Sequence, residues 1–181
     1  MYRLFIAIDL PEALKAHVMA ICRGVATARW VPEEQLHLTL RFIGDADEEL
    51  FSAIRAGLSQ VKSHPFTLAL TGTGCFPSPK RPRVLWIGTR GDGTLQQLRQ
   101  AVEEYLVTSG IPADARPFSP HITLARLKEP APAATASFLA AHATFASEPF
   151  AVDAFHLYSS TLTPTGAIHR REASYPLGTP V

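Results

Sequence analysis

Two short segments of the sequence carry residue types that could move protons. Residues 37–40 (HLTL) and 121–124 (HITL) share the pattern His-x-Thr-Leu, within stretches that alternate polar and apolar residues. Because side chains alternate along a strand, the histidine and the threonine of each segment are predicted to share one face, with the two apolar residues in the core behind them. An imidazole titrates near pH 6.5, so one histidine can accept a proton while the other donates one.

If the two segments face each other, their polar residues would surround one point in a groove: His37, Thr39, His121 and Thr123. Threonine hydroxyls donate hydrogen bonds to anionic oxygens without adding charge. This set of groups predicts in-line attack on a phosphodiester, with one histidine as the base and the other as the acid that protonates the leaving oxygen.

Each motif residue also has an ordinary interpretation. A single histidine on a strand is more often a structural or solvent-facing residue than a catalyst, and threonine is a good strand former in any setting. Repetition of the motif in the corresponding element of each half favours a shared site. A metal site is disfavoured because each motif supplies one ligand and no carboxylate lies at ligand spacing, so we predict neither a metal nor a cofactor. Histidines that lack such neighbours are predicted to be structural or at the surface, among them His64, His142, His156 and His169.

Charged and aromatic residues follow both motifs and could position a phosphate or a base. Strict alternation places Arg41 on the His37 face and Arg126 on the opposite face from its motif histidine, unless the strand bulges or ends there. The same alternation places Phe42 in the core, although at a strand end it could turn into the groove and stack on a base. A basic loop at residues 80–83 could reach a nucleic-acid backbone, but such loops are most often only solvated.

The elements that must position the motifs recur in the same order in the two halves of the chain. Apolar periodicity predicts strand, helix, strand, helix, strand in each, with pseudo-repeats at about residues 1–75 and 83–175 of a single bilobal domain, 1–181. Because the strands alternate polar and apolar residues, they are typical of antiparallel sheets. We therefore predict an α+β fold in which two pseudo-symmetric lobes, each an antiparallel sheet with flanking helices, face a central groove. The predicted strands span residues 2–9, 35–43, 66–70, 84–89, 118–127, 150–158 and 168–175, and the predicted helices span 11–25, 47–61, 94–109 and 137–141.

Composition limits the classes of protein that the chain can be. With 46% hydrophobic and 18% charged residues over 181 positions, it is not a disordered chain. A formal net charge of +1 excludes binding of anions by bulk charge, so any anion must be held by a local cluster. Two cysteines cannot form a disulfide framework, and no apolar run approaches a membrane span. These features predict a soluble cytoplasmic protein.

Beyond the two motifs, the sequence resembles the LigT-like RNA 2′,3′-cyclic phosphodiesterases, also called 2′-5′ RNA ligases, of the two-histidine phosphoesterase superfamily. The resemblance implies that His37 and His121 are the acid and the base, that Thr39 and Thr123 bind the phosphate, that Arg126 contacts the phosphate and that Phe42 stacks on the terminal base. It rests on the motifs and on further segments along nearly the whole chain: RLFIAIDLP from Arg3, RWVPEEQLHLTLRFIGD from Arg29, FPSP, PRVLWIG, RPFSPHITLAR from Arg116 and LYSS from Leu157.

The activity that this resemblance implies is metal-independent opening of RNA 2′,3′-cyclic phosphate ends to a 2′-phosphate, with reversible 2′-5′ joining of RNA ends as a second reaction. It further implies that the 3′ oxygen leaves, with His37 as the acid and His121 as the base. The expected partners are RNA 3′ ends or tRNA fragments and cyclic nucleotides, with no membrane, and the expected state is a monomer. Two alternatives stay open: a related phosphodiesterase that acts on small cyclic nucleotides or ADP-ribose cyclic phosphate, and a non-catalytic module that binds RNA ends.

Overall fold

Antiparallel strands form the centre of the protein. The computed structural model describes residues 1–178 and contains a nine-stranded sheet with four α-helices. None of these helices is long and apolar enough to span a bilayer. The elements are β1 (Tyr2–Asp9), α1 (Glu12–Met19), β2 (Ala28–Trp30), β3 (His37–Ala46), α2 (Glu48–Gly57), β4 (Phe66–Phe76), β5 (Val84–Arg90), α3 (Thr94–Thr108), β6 (His121–Leu127), α4 (Pro132–Ala141), β7 (Phe150–Val152), β8 (Ala154–Thr163) and β9 (Gly166–Pro176).

The strand order places the two motif strands side by side in the middle of the sheet. The order is β7-β4-β5-β6-β3-β1-β8-β9, with β2 paired to β6. Strands β3 and β6 meet at one antiparallel pair, Leu38 opposite Ile122, and both side chains are fully buried. Apart from β2, the strands therefore form one continuous order, and the β3–β6 pair joins its two lobes. The predicted α+β architecture with antiparallel strands is confirmed.

The two lobes are not the two halves of the sequence. One lobe contains β1 and β3 from the first half but takes β8 and β9 from the second. The other contains β5 and β6 from the second half but takes β4 from the first. The order β4-β5-β6 on one side matches β8-β1-β3 on the other, so β4 of the first half and β8 of the second half are exchanged between the lobes. The strand predicted over residues 150–158 is divided at Asp153, and its first part, β7, pairs with β4.

The helices cover the apolar face of the sheet and leave the motif face open. Helix α2 begins where the Asp47 carboxylate accepts a hydrogen bond from the Leu50 amide, 2.8 Å away. Its buried Ile54 joins one core cluster with Leu98 of α3 and with the apolar motif residues Leu38 and Leu124. Since these motif leucines are buried, the alternating histidines and threonines point to the opposite face.

A β-bulge interrupts each motif strand at the fourth motif residue. In the β1–β3 pairing, Ile6 lies opposite Arg41 and the next residue, Ala7, lies opposite Thr39, so Leu40 has no partner. In the β5–β6 pairing, the register jumps in the same way from Ala125 to Thr123, past Leu124. A bulge adds one residue to the strand and reverses the face on which the following side chains lie. Side chains beyond the bulge therefore break the strict alternation used for the prediction.

Several boundaries differ from those predicted. Strand β6 begins at His121 rather than residue 118, because Pro117 and Pro120 cannot donate to a ladder. Strand β2 was not predicted, since three residues are too few to show a period. Helix α1 ends at Met19 rather than near residue 25, and helix α4 begins at Pro132, a favoured first-turn residue, five residues before the predicted start.

Candidate active site

The antiparallel pair at the centre of the sheet brings the four polar motif side chains together. Leu38 and Ile122 are directly opposite each other, so the residues that flank them, His37 and Thr39 on β3 and His121 and Thr123 on β6, lie on either side of this one pair. All four side chains alternate with buried residues and therefore project from the same face of the sheet. The charge of His121 also contributes to the lowered pKa of His37, as expected for two imidazoles above the same part of the sheet.

Both histidines are oriented by the same backbone contact. The Nδ1 atom of His37 lies 2.7 Å from the carbonyl oxygen of Gln35, and Nδ1 of His121 lies 2.7 Å from the carbonyl oxygen of Ser119. A carbonyl oxygen only accepts, so Nδ1 carries the proton and donates it in each case. Nε2 of each ring is left to accept a proton or to hold one towards the groove.

The surroundings of His37 are mostly aromatic. Its ring centre lies 5.0 Å from that of Phe5 and 5.6 Å from that of His169, whose ring is perpendicular to it. Nε2 lies 3.1 Å from the hydroxyl of Thr39. Burial, with a smaller contribution from the charge of His169, lowers the pKa of His37 to about 4, although the Gln35 carbonyl and Asp9 act in the opposite direction. His37 is therefore neutral at pH 7 in the protein alone.

His121 packs against a different set of rings. The ring of Phe76 lies edge-on to it with centres 5.0 Å apart, and the ring of Trp86 lies 6.2 Å away. The Trp86 indole covers Gly74 on β4 so closely that a Cβ at that position would lie 2.1 Å from it. The glycine thus allows a large aromatic residue to lie flat beside His121.

Arg41 does not reach the groove, and its predicted place beside His37 is wrong. The bulge at Leu40 turns it to the core face, where Nε donates to Glu103 Oε2 at 2.6 Å and Nη2 donates to the Pro112 carbonyl at 2.6 Å. The side chain is 8% exposed. Arg41 therefore ties β3 to α3 and to the segment that precedes the second motif.

Phe42 and Arg126 lie on the groove face, although strict alternation places both of them on the opposite face. Each lies five residues after its motif histidine, and each follows the bulge in its strand. Phe42 is 51% exposed and its ring centre lies 5.9 Å from that of Phe5. Arg126 is exposed, and within residues 1–178 no carboxylate lies within the 4 Å of an ion pair. One lobe thus presents an aromatic ring where the other presents a cation.

Comparison with known proteins identifies the family to which the chain is related. A family model described as the 2′-5′ RNA ligase superfamily matches residues 10–163. The chain belongs to this superfamily. An RNA 2′,3′-cyclic phosphodiesterase of Archaeoglobus fulgidus is 35% identical over 171 residues, which are 93% of this chain and 96% of that protein. One from Thermus thermophilus is 38% identical over 178 residues, 92% of this chain and 86% of that protein. The crystal structure of E. coli LigT complexed with 3′-AMP matches with a TM-score of 0.81 and 28% identity, covering 98% and 99% of the two chains.

A pocket of about 370 Å³ opens beside His37 in this superfamily member, and most of its walls were not predicted. Strands β8 and β9 supply Tyr158, Ile168 and His169, because they are the strands that the second half contributes to this lobe. His169 was predicted to be structural or at the surface; instead it lines the pocket, and burial lowers its pKa. No local pattern marks it. The pocket is lined by Phe5, Asp9, Glu34, Gln35, Leu36, His37, Tyr158, Ile168 and His169.

Asp9 is the polar centre of the pocket floor. It accepts a hydrogen bond from the Tyr158 hydroxyl at 2.5 Å and another from Arg171, and His156 Nε2 lies 3.8 Å away. Burial and the bond to Asp9 raise the pKa of Tyr158 to about 12. Asp9 also lies opposite His37 in the β1–β3 register. The carboxylate is thus held by three neighbours from β8 and β9 at the edge of the site.

No group of three His, Cys, Asp or Glu side chains in the described chain gathers as a metal site would require. The two motif histidines supply two nitrogens, and a structural or catalytic zinc site needs at least three protein ligands. The polar atoms that converge on the groove are instead imidazole nitrogens, hydroxyls and a guanidinium.

Proposed function

We propose that the protein hydrolyses RNA 2′,3′-cyclic phosphate ends to 2′-phosphates and that it catalyses reversible 2′-5′ joining of RNA ends at the same site. The observation that carries this proposal is the antiparallel juxtaposition of two His-x-Thr motifs, each with its histidine fixed through Nδ1. Two imidazoles whose Nδ1 is held by the backbone, so that Nε2 is the nitrogen left for proton transfer, are the minimum for moving one proton to and one from the reacting group. Relatives named RNA 2′,3′-cyclic phosphodiesterase that span nearly the whole chain support the substrate.

In the proposed hydrolysis, His121 Nε2 takes a proton from water as the water oxygen bonds to phosphorus. The bond from phosphorus to the ribose 3′ oxygen breaks in line with the attack, and His37 Nε2 gives its proton to that oxygen. The product carries a 2′-phosphate and a free 3′ hydroxyl. Thr39 and Thr123 hydroxyls donate hydrogen bonds to the two non-bridging oxygens as charge develops there.

The acid role of His37 needs a proton that the protein alone does not hold at pH 7, because burial lowers the pKa of His37 to about 4. A phosphate anion beside the ring raises the pKa of an imidazole, since an opposite charge within about 4–6 Å favours the charged form. We therefore infer that His37 becomes protonated in the complex with substrate. Burial before binding keeps it neutral, and the anion supplies the charge that stabilises the imidazolium.

The two side chains beyond the bulges would fix the substrate's orientation. Arg126 would pair with a phosphate oxygen through its planar fork, and Phe42, half exposed beside the groove, would stack on the terminal base. A base on one lobe and the phosphate contact on the other would hold the ribose in one orientation. The resemblance to the LigT-like phosphodiesterases implies the orientation in which the 3′ oxygen lies on the His37 side.

Phosphorus NMR of the product tests the proposal. An RNA oligonucleotide with a 2′,3′-cyclic end should give a 2′-phosphate monoester. A 3′-phosphate would overturn the assigned direction while leaving the two-histidine mechanism intact. Turnover of ADP-ribose cyclic phosphate or small cyclic nucleotides with no turnover of RNA ends would favour the related phosphodiesterase, and tight RNA-end binding without turnover would favour a non-catalytic module.

We further propose that the protein acts as a monomer on RNA 3′ ends or tRNA fragments in the cytoplasm, without a metal. Two free thiols among the described residues, Cys22 and Cys75, are compatible with a reducing compartment. Sedimentation at micromolar concentration would test the oligomeric state directly.

A further inference from the structure

A second unpaired arginine lies next to Arg126 on the groove face. In the β2–β6 pairing, Arg29 is directly opposite Arg126, and residues opposite each other on neighbouring strands project from the same face. Both are exposed, and within residues 1–178 neither makes an ion pair or a side-chain hydrogen bond. Two like charges placed directly opposite are destabilising by themselves. An anion between or beside them would remove that cost.

Arg29 also lies close to the hairpin that extends from the other lobe. A Cβ built on Gly166, where β9 begins at the tip of the β8–β9 hairpin, would lie 2.9 Å from Nη2 of Arg29. Since β2 belongs to one lobe and the β8–β9 hairpin to the other, the guanidinium spans the end of the groove. Arg29 is thus close to elements of both lobes.

Positive charge continues from Arg29 towards the end of β6. Lys128 extends the β2–β6 ladder through its amide, which donates to the Thr27 carbonyl at 3.1 Å. Arg83 is exposed and its Nη1 donates to the Lys128 carbonyl at 3.0 Å. In the described chain no carboxylate lies within 4 Å of the charged groups of these residues; Glu129, exposed at the strand end, is the nearest acidic residue in sequence. We call Arg29 and Lys128, which alternation and register place on the face of Arg126, the basic strip.

We propose that the basic strip binds the phosphodiester backbone on the 5′ side of the terminal nucleotide, with Arg29 holding the first phosphate beyond the reacting one. This inference rests on the proposed function. A strand that ends in a cyclic phosphate carries all its other phosphates on the 5′ side, so a cation next to Arg126 can meet only those. Because the chain's net charge is only +1, a local row of cations is the means by which it can hold a polyanion. The substrate is therefore an RNA strand of several nucleotides rather than a single cyclic nucleotide.

Steady-state kinetics on two substrates test this proposal. The substrates are a nucleoside 2′,3′-cyclic phosphate, which has no other phosphate, and an RNA tetranucleotide with a 2′,3′-cyclic end, each measured between about 50 and 200 mM salt. Arg29→Ala should lower kcat/KM for the tetranucleotide about tenfold and reduce the slope of log kcat/KM against log salt by about 0.7, the value for one phosphate on a single strand. Its kcat/KM for the cyclic mononucleotide should stay within about twofold of the unaltered protein.

Two matched variants complete the experiment. Arg29→Lys keeps the positive charge and should keep the salt slope. Arg55→Ala removes an exposed arginine that has no ion pair and lies on α2, behind the sheet, and should change neither substrate. Equal losses on both substrates, or no loss on either, would overturn the role of Arg29.

A binding measurement distinguishes a failure of this proposal from a failure of the proposed function. If the unaltered protein hydrolysed neither substrate, the phosphodiesterase proposal would fail on its own. The salt dependence of binding to a fluorescent RNA tetranucleotide would still test the strip, and an unchanged slope in Arg29→Ala would refute it.

Discussion

The strands that carry the two motifs share their sequence pattern and their bulge but differ in what surrounds them. On β3, His37 is enclosed by Phe5 and His169, and burial lowers its pKa to about 4. On β6, His121 meets the edges of other rings and is followed by an exposed cation, Arg126. The backbone is thus duplicated while the environment is not. Because burial disfavours the charged form of an imidazole, this difference in surroundings allows two identical side chains to take different roles.

Removing either histidine tests whether the two strands act as one unit. His37→Ala and His121→Ala should each lower kcat by about a hundredfold to ten-thousandfold, the contribution of one positioned proton-transfer group. The double variant should be little worse than the poorer single variant, because groups that act as a unit are not additive. Turnover of a cyclic-ended RNA measures this, and ordinary rates in either single variant would refute the acid–base pair.

Arg126 is the exposed cation beyond the motif of His121. Its loss should weaken binding of the phosphate rather than stacking of the base. Arg126→Ala should lower kcat/KM about tenfold to a hundredfold, since hydrogen bonds to charged groups contribute about 1.5–3 kcal/mol. Arg126→Lys should recover only part of the loss, because a single ammonium cannot replace the planar fork. An equal effect of Arg55→Ala, on an exposed helix behind the sheet, would indicate a general charge effect instead.

Phe42 lies five residues after His37, the same spacing that separates Arg126 from His121. Phe42→Ala should weaken binding of the terminal nucleotide by about 1–3 kcal/mol, the usual contribution of a base–aromatic stack, and Phe42→Trp should retain it. Affinity for an RNA that ends in a 2′-phosphate measures the change. A terminal abasic site offers the matched control: Phe42→Ala should have no further effect on it, and a full effect there would contradict stacking.

The buried environment of His37 predicts a pH dependence of stability. In the unfolded chain a histidine takes up a proton near pH 6.5, whereas the folded-state pKa of His37 is about 4. Between these values the unfolded state binds more protons, so the free energy of unfolding should fall as the pH drops from about 6.5 to 4, by up to about 2–3 kcal/mol.

Urea unfolding at a series of pH values measures this dependence, with His37→Gln as the comparison protein. His156 and His169, whose pKa values burial also lowers, contribute with the same sign to both proteins. The difference between the two curves therefore isolates His37. A His37→Gln protein with an unchanged acid dependence would show that the first motif histidine is not the buried titrating group.

The smallest expected effect is that of a chelator. If the two imidazoles are the whole of the proton-transfer machinery, hydrolysis of a cyclic-ended RNA should proceed at an unchanged rate in EDTA. Loss of activity that zinc or manganese restored would show that the histidines hold a metal instead.

The chemistry of the site could be predicted because it depends on local patterns, and its outer parts could not. His37 and Thr39 share a face because a strand has a period of two, which one reads directly from the sequence. The place of Arg41 depends on a bulge at Leu40, and nothing in the side chains there differs from an ordinary strand. Bulges arise from pairing with neighbouring strands, so a single segment does not reveal them.

The pocket beside His37 could not be predicted from the sequence for another reason. His169 reaches it because β8 pairs with β1, across most of the length of the chain, and β9 pairs with β8. The order of elements predicted the duplication, but an exchange of β4 and β8 between the lobes leaves that order unchanged. Only the register of the sheet shows which lobe receives which strand.

That exchange constrains how the chain can fold during synthesis. Leu4 of β1 pairs with Ser159 of β8, so the first lobe stays incomplete until the last quarter of the chain has emerged. Contacts of such sequence separation slow folding, because a long loop must close before they form. A fragment that ends near residue 75 contains the whole first repeat, including β3, yet lacks β8, the second neighbour of β1. It would expose the unpaired edge of β1 to other chains. The duplicated sequence is therefore not a pair of independent folding units, and each copy depends on the other to finish its sheet.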